Sequence, residues 1–129
     1  MTFGPHVEQL GPHFTKFFIA PNKAIHHFSA PDTGDFHDHP FDIEVRVLEG
    51  KYMEEVMRPG FTQPIRLTHY KGSFFVIRAN HIHRTIDLFD GPCTTYATYG
   101  PWQRKSRFWR FGEKVERRDY DQTEWEQIS

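Results

Sequence analysis

Hydrophobic and polar residues alternate in short runs along this chain, and glycine and proline separate the runs. Gly11-Pro12, Pro21-Asn22, Pro31 to Gly34, Gly50, Pro59-Gly60, Gly72, Gly91-Pro92, Gly100-Pro101 and Gly112 mark the breaks. Short alternating runs between such breaks are the pattern of an all-β sandwich or barrel. The strands predicted are Phe14–Ala20, Ala24–Ser29, Phe41–Leu48, Tyr52–Met57, Ile65–Tyr70, Phe74–Ile77, Ile82–Leu88, Thr94–Tyr99 and Arg107–Phe111. In Phe41–Leu48 the residues Phe41, Ile43, Val45 and Val47 share one face, and Asp42, Glu44, Arg46 and Leu48 share the other. Leu48-Glu49-Gly50-Lys51-Tyr52 reads as a tight hairpin turn. Asp121 and Glu124 have capping-box spacing, with Asp in place of Ser or Thr, and predict one or two helical turns at the C-terminal end.

Composition narrows the function classes. The 129 residues suit one domain with one core, assigned here to residues 1–129. A formal net charge of -1 lacks the basic excess of a nucleic-acid binder, so no nucleic-acid partner is expected. No apolar run approaches a bilayer span, so no membrane partner is expected either. The start MTFGPHVEQLG has neither the basic nor the apolar region of a signal peptide, which predicts a cytoplasmic protein. With one cysteine, Cys93, an intrachain disulfide or a thiolate zinc site is impossible. Thirteen phenylalanines favour strands over helices. Nine histidines are the excess that calls for a chemical explanation.

The histidines cluster. His37-Asp38-His39 is followed after four residues by Glu44. Side chains two apart in a strand point the same way, so His37 and His39 share a face. Glu44 has odd spacing from His39 and rejoins that side only if Pro40 breaks the strand. Two imidazoles and a carboxylate suit Fe(II), Mn, Ni, Cu or Zn; the alternative is a surface loop with incidental histidines. A second segment runs from Gly72 through Arg78-Ala79-Asn80 to His81-Ile82-His83.

Together the two segments resemble the cupin superfamily. Its first motif is G-x5-HxH-x3-4-E-x6-G, and here the HxH, the four-residue gap and Glu44 match, while Gly34 and Gly50 are displaced. Its second motif is G-x5-PxG-x2-H-x3-N. Gly72 and His83 keep its spacing, with Arg78 for Pro, Asn80 for Gly and Asp87 for Asn. The resemblance runs from Gly34 to Asp87 and implies a single-domain double-stranded β-helix, a jelly-roll barrel. It implies the metal ligands His37, His39, Glu44 and His83, a divalent transition metal with Fe(II) as first choice, and a homodimer.

Other residues acquire provisional roles. His81 shares spacing with His83 and is either an accessory to the site, as a hydrogen-bond donor behind the ligands, an alternative ligand or a catalytic base, or an exposed turn residue. Arg46 shares the face of Glu44, and is either an anion clamp for the substrate or half of a structural ion pair with Asp42. His26 and His27 place one ring inward and one outward. One of Tyr96 and Tyr99 reaches the interior for the same reason. The aromatic and basic stretch Trp102–Phe111 reads as core or dimer interface. Cys93 reads as an inert small residue. The functional expectation is a dioxygenase-type oxidoreductase acting on a small, anionic molecule. A metal-dependent sugar or keto-acid isomerase, or a ligand-binding module without turnover, are the alternatives.

Overall fold

A computed structural model describes residues 4–128. In chain order the strands are β1 (His6–Gln9), β2 (Phe14–Ala20), β3 (Lys23–Phe28), β4 (Asp32–His37), β5 (Ile43–Glu49), β6 (Tyr52–Val56) and β7 (Ile65–His69). They continue with β8 (Phe74–Ile77), β9 (His83–Asp87), β10 (Cys93–Tyr99), β11 (Arg107–Phe111), β12 (Val115–Asp119) and β13 (Glu126–Gln127). One sheet has the order β1-β2-β3-β10-β5-β8 and the other β13-β12-β11-β4-β9-β6-β7. Every strand pair is antiparallel. No helix occurs among the described residues, so none is long and apolar enough to cross a membrane.

The two sheets face each other, and alternation decides which side chains lie between them. In β5, Ile43, Val45 and Val47 are buried while Glu44 and Arg46 are exposed. In β10, Cys93, Thr95, Ala97 and Tyr99 are buried, interleaved with half-buried Thr94, Tyr96 and Thr98. Ala24, Ile43, Val45, Ile77, Ala97 and Tyr99 form one apolar cluster, with Phe18, Phe41 and Phe75 packed against it. Val47, Tyr52, Leu88 and Cys93 form a second. Burial pushes the Cys93 thiol up to about 11, which keeps it an unreactive packing residue.

Two local expectations are corrected. The turn Leu48 to Tyr52 is no hairpin: β5 belongs to one sheet and β6 to the other, so this segment crosses between them. Gly50 makes the crossing possible, with φ +78° and the Pro92 carbonyl oxygen 2.5 Å from where a Cβ would stand. The C-terminal stretch forms no helical turn. Glu126 and Gln127 instead pair with Arg117 and Glu116 as an added edge strand, and the Trp125 ring lies under the Arg110 guanidinium at 3.9 Å. A free sheet edge and a cationic platform for the indole outweigh one capping interaction.

Candidate metal centre

The second sheet brings the two histidine segments together. His37, the last residue of β4, pairs directly across the ladder with His83, the first of β9. Phe108 of β11 flanks His37, and Val56 of β6 flanks His83. His39 lies just beyond β4, and its backbone N–H donates to the Ala79 carbonyl at 3.2 Å. The turn preceding His81 is pinned from the other side: Asp42 accepts from the Ala79 N–H at 2.8 Å and from Arg78 Nη1 at 3.3 Å. Arg104 ties both segments, donating to the carbonyls of His39 (3.2 Å) and Ala79 (2.9 Å).

The resulting cluster is a triangle of imidazoles. Ring centroids are 5.1 Å apart for His37 and His39, 4.8 Å for His37 and His83, and 4.9 Å for His39 and His83. Ligand nitrogens of the three lie within 4.8 Å of one another. Burial holds His37 down to about 4, reinforced by His83, and holds His39 well below the ordinary imidazole value. Both rings are therefore neutral at pH 7 and present lone pairs. The backbone of Asp35 offsets part of that lowering at His37. His39 Nδ1 and both ring nitrogens of His83 are buried with no hydrogen-bond partner. An unpartnered nitrogen on His39 and on His83, with His37 beside them, fits a metal ion that would take one nitrogen from each ring.

Glu44 is not part of this cluster. It lies on the exposed face of β5, and the inward position beside it is occupied by Ile43. The break supplied by Pro40 leaves the strand phase from Ile43 onward set by Ile43, Val45 and Val47, whose burial turns Glu44 outward. Arg46 is exposed for the same reason, with its guanidinium 5.3 Å from the Phe74 ring centroid, so it does not reach the cavity. Asp42 pairs with Arg78 rather than Arg46. Of the roles open to His81, the structure fits a donor behind the ligands: it does not line the cavity, its ring centroid is 4.9 Å from that of His83, and its Nε2 is hydrogen-bonded to Glu54.

Two buried carboxylates support the centre and were not anticipated. Glu54 on β6 is 1% exposed. It accepts from His81 Nε2 at 2.6 Å and from His69 Nε2 at 3.1 Å, and its Oε2 stands 3.5 Å from His83 Nδ1. Burial alone would raise the Glu54 carboxyl, but the imidazoles outweigh it and hold it far below the usual carboxylate range. Glu54 faces Nδ1 of His83 and so leaves Nε2 as the nitrogen for a metal, the arrangement that orients histidine ligands. Asp38, 1% exposed between His37 and His39, accepts from Arg104 Nη1, the Arg107 backbone N–H, Arg107 Nε and Trp109 Nε1. A carboxylate at an inward strand position such as Glu54, in phase with Tyr52 and Val56, is the sequence signal for such a network.

The triad faces a cavity of about 500 Å³ between the sheets. Phe28, Phe41, Ile43 and Val45 supply apolar wall, and Lys16, His26 and Tyr99 also line it. His26 points inward to the Tyr99 hydroxyl while His27 points outward to Thr94.

No family model and no curated protein sequence matches the chain. Solved structures do. The Drosophila melanogaster CENP-C cupin domain superposes with a TM-score of 0.60 at 10% identity, covering 74% of this chain and 75% of that one. The chain has a cupin fold. Another cupin-fold neighbour is the hydroxypropylphosphonic acid epoxidase from S. wedmorenis, with a TM-score of 0.61, 11% identity and coverage of 74% of this chain and 55% of that one. That enzyme is also solved in its Fe(II) form. The chain spans about half the length of the epoxidase it matches.

Proposed function

We propose that this cupin is a metal-dependent oxygenase acting on a small, anionic organic molecule. The observation that carries the reading is the triangle of imidazoles, His83 buried and His37 and His39 half-buried, with unpartnered nitrogens at an apolar cavity. His37, His39 and His83 would hold the metal, with Fe(II) the first choice because three imidazoles suit it and the epoxidase neighbour has an Fe(II) form. Bound there, Fe(II) would supply the one-electron chemistry that brings dioxygen and an organic substrate to reaction.

The protein's own residues do the rest. Glu54 orients the ring of His83, and Arg104 locks the backbone on either side of the cluster. Phe28, Phe41 and Ile43 exclude water, which limits side reactions and strengthens every polar contact inside. Three neutral ligands leave a divalent ion's charge uncompensated, which favours a substrate bearing an anionic group.

A second reading, a metal-dependent isomerase, draws support from the His26–Tyr99 hydrogen bond in the cavity wall, a pair able to relay a proton. The test uses untagged protein loaded anaerobically with Fe(II), with nitric oxide standing in for dioxygen. One iron per chain and a spin-3/2 resonance signal, both lost in His83→Ala, are the expected result. Iron that binds in one equivalent but gives no such signal would overturn the oxygenase reading and leave the isomerase. Failure to bind iron would overturn the oxygenase reading, and failure to bind zinc and manganese as well would overturn the isomerase.

A further inference from the structure

The cavity contains a cation that no carboxylate contacts among the described residues. Lys16 on β2 is half-buried, lines the cavity and makes no ion pair among the described residues. Its Nζ lies instead over two ring faces, 5.4 Å from the Tyr99 centroid and 5.9 Å from that of Phe14. The other cation of the wall, Arg107, is committed to Asp38. Of the carboxylates in the wall, Asp38 is thereby spent, and Asp32 is exposed and accepts from the Gly34 N–H. Glu8 stands opposite Lys16 across the β1–β2 ladder, but its exposed carboxylate lies 3.3 Å from His6 Nε2 and makes no ion-pair contact with Lys16, so it offsets the ammonium only in part. Burial lowers the Lys16 ammonium more than Glu8 restores it, so this charge is held in the fold at a cost.

The groups beside Lys16 suit an oxyanion. His26 and the Tyr99 hydroxyl are hydrogen-bonded to each other. Burial drives His26 down to about 3 and Tyr99 up, so the pair is uncharged and offers a hydroxyl dipole without adding charge. Lys16, His26, Tyr99 and the three imidazoles of the triangle all line the one cavity, so the cation and the triangle face the same space. Between the two polar ends the wall is apolar, with Phe41 packed on Tyr99 at 4.7 Å between ring centroids.

We infer that Lys16, assisted by Tyr99, anchors a carboxylate or equivalent oxyanion on a short apolar ligand whose other end reaches the imidazole triangle. The inference deepens the oxygenase reading and rests on it for the far end of the ligand alone. It replaces Arg46, which faces solvent, with a residue inside the cavity as the anion clamp. An ammonium desolvated among rings is prepaid for an anion, because pairing restores what burial removed.

The probe is benzoate, with benzamide as its neutral isostere, titrated calorimetrically into metal-free and zinc-loaded protein. Wild type is expected to bind benzoate at least tenfold more tightly than benzamide in both forms. Lys16→Met, which keeps the apolar stem, should lose that preference, and Lys16→Arg should keep most of it. Urea unfolding of Lys16→Met, expected to match or exceed wild type, confirms that its cavity is intact. Equal binding of benzoate by wild type and folded Lys16→Met, equal binding of benzoate and benzamide, or no benzoate binding by wild type would each overturn the inference. Zinc that fails to bind while metal-free protein discriminates through Lys16 would instead overturn the metal reading and leave the anion site standing.

Discussion

Asp38 is the most sharply testable residue of the fold. Its Oδ1 accepts from Arg104 Nη1 at 3.1 Å and the Arg107 N–H at 2.8 Å; its Oδ2 accepts from Arg107 Nε and Trp109 Nε1, both at 2.9 Å. All four partners are donors. Asp38→Asn keeps the shape but turns one acceptor into an amide N–H₂, which must face two donors whichever way it flips. Turning it toward Arg104 is the cheaper choice, since Arg104 also reaches the carbonyls of His39, Ala79 and Lys105. That choice still orphans the Arg107 backbone N–H and removes the counter-charge of two arginines. A buried donor left unpaired costs about 1–3 kcal/mol. Breaking a buried ion pair from one side costs about 3–5 kcal/mol, the loss expected in total. Urea unfolding at pH 7 measures it, with Glu49→Gln as control. The exposed Glu49–Lys71 pair should contribute under about 1 kcal/mol. A loss below about 1 kcal/mol in Asp38→Asn, with an unchanged m-value, would refute the donor accounting.

Glu54→Gln must reverse the direction of one imidazole hydrogen bond and so disturb His83, and metal affinity should fall by roughly 10–100-fold; competitive chelator titration measures this, and unchanged affinity would contradict the orienting role. His26 and His37 have folded values near 3 and 4, both below the unfolded value of 6.5, so the unfolded chain takes up protons first and metal-free stability falls as pH drops below 6.5. At pH 5 that amounts to about 2 kcal/mol for each residue, read from urea midpoints at pH 7 and 5, where the low-lying Glu54 carboxylate stays ionised; a flat profile would count against their burial in the neutral form. Gly50→Ala places a methyl against the Pro92 carbonyl at a φ of +78°, with an expected loss of about 1–3 kcal/mol in thermal or urea unfolding.

Much of the architecture was legible because alternation and turn residues act locally. Phe14–Ala20, Phe74–Ile77 and Arg107–Phe111 have the boundaries that their patterns predict. The strands β1, β4 and β12 carry no apolar face of their own. They exist because neighbouring strands offer ladder partners, a contribution no local pattern records. The histidines of the centre were legible from their i, i+2 spacing, and His37 and His83 meet across one ladder. Glu44 was misplaced because a motif spacing of three or four residues spans both strand phases, and only the burial of Ile43, Val45 and Val47 selects between them. Glu54, His69 and Lys16 were illegible because their partners lie on other strands, brought together by register alone.

The central claim is a metal centre of three histidines without Glu44. Cobalt(II) titration of untagged protein, followed by visible absorption, tests it most directly. Saturation at one equivalent is expected in wild type and Glu44→Ala alike, and loss of binding in His37→Ala, His39→Ala and His83→Ala. Glu44→Ala losing cobalt as completely as the histidine variants, or wild type failing to bind one equivalent, would contradict the account.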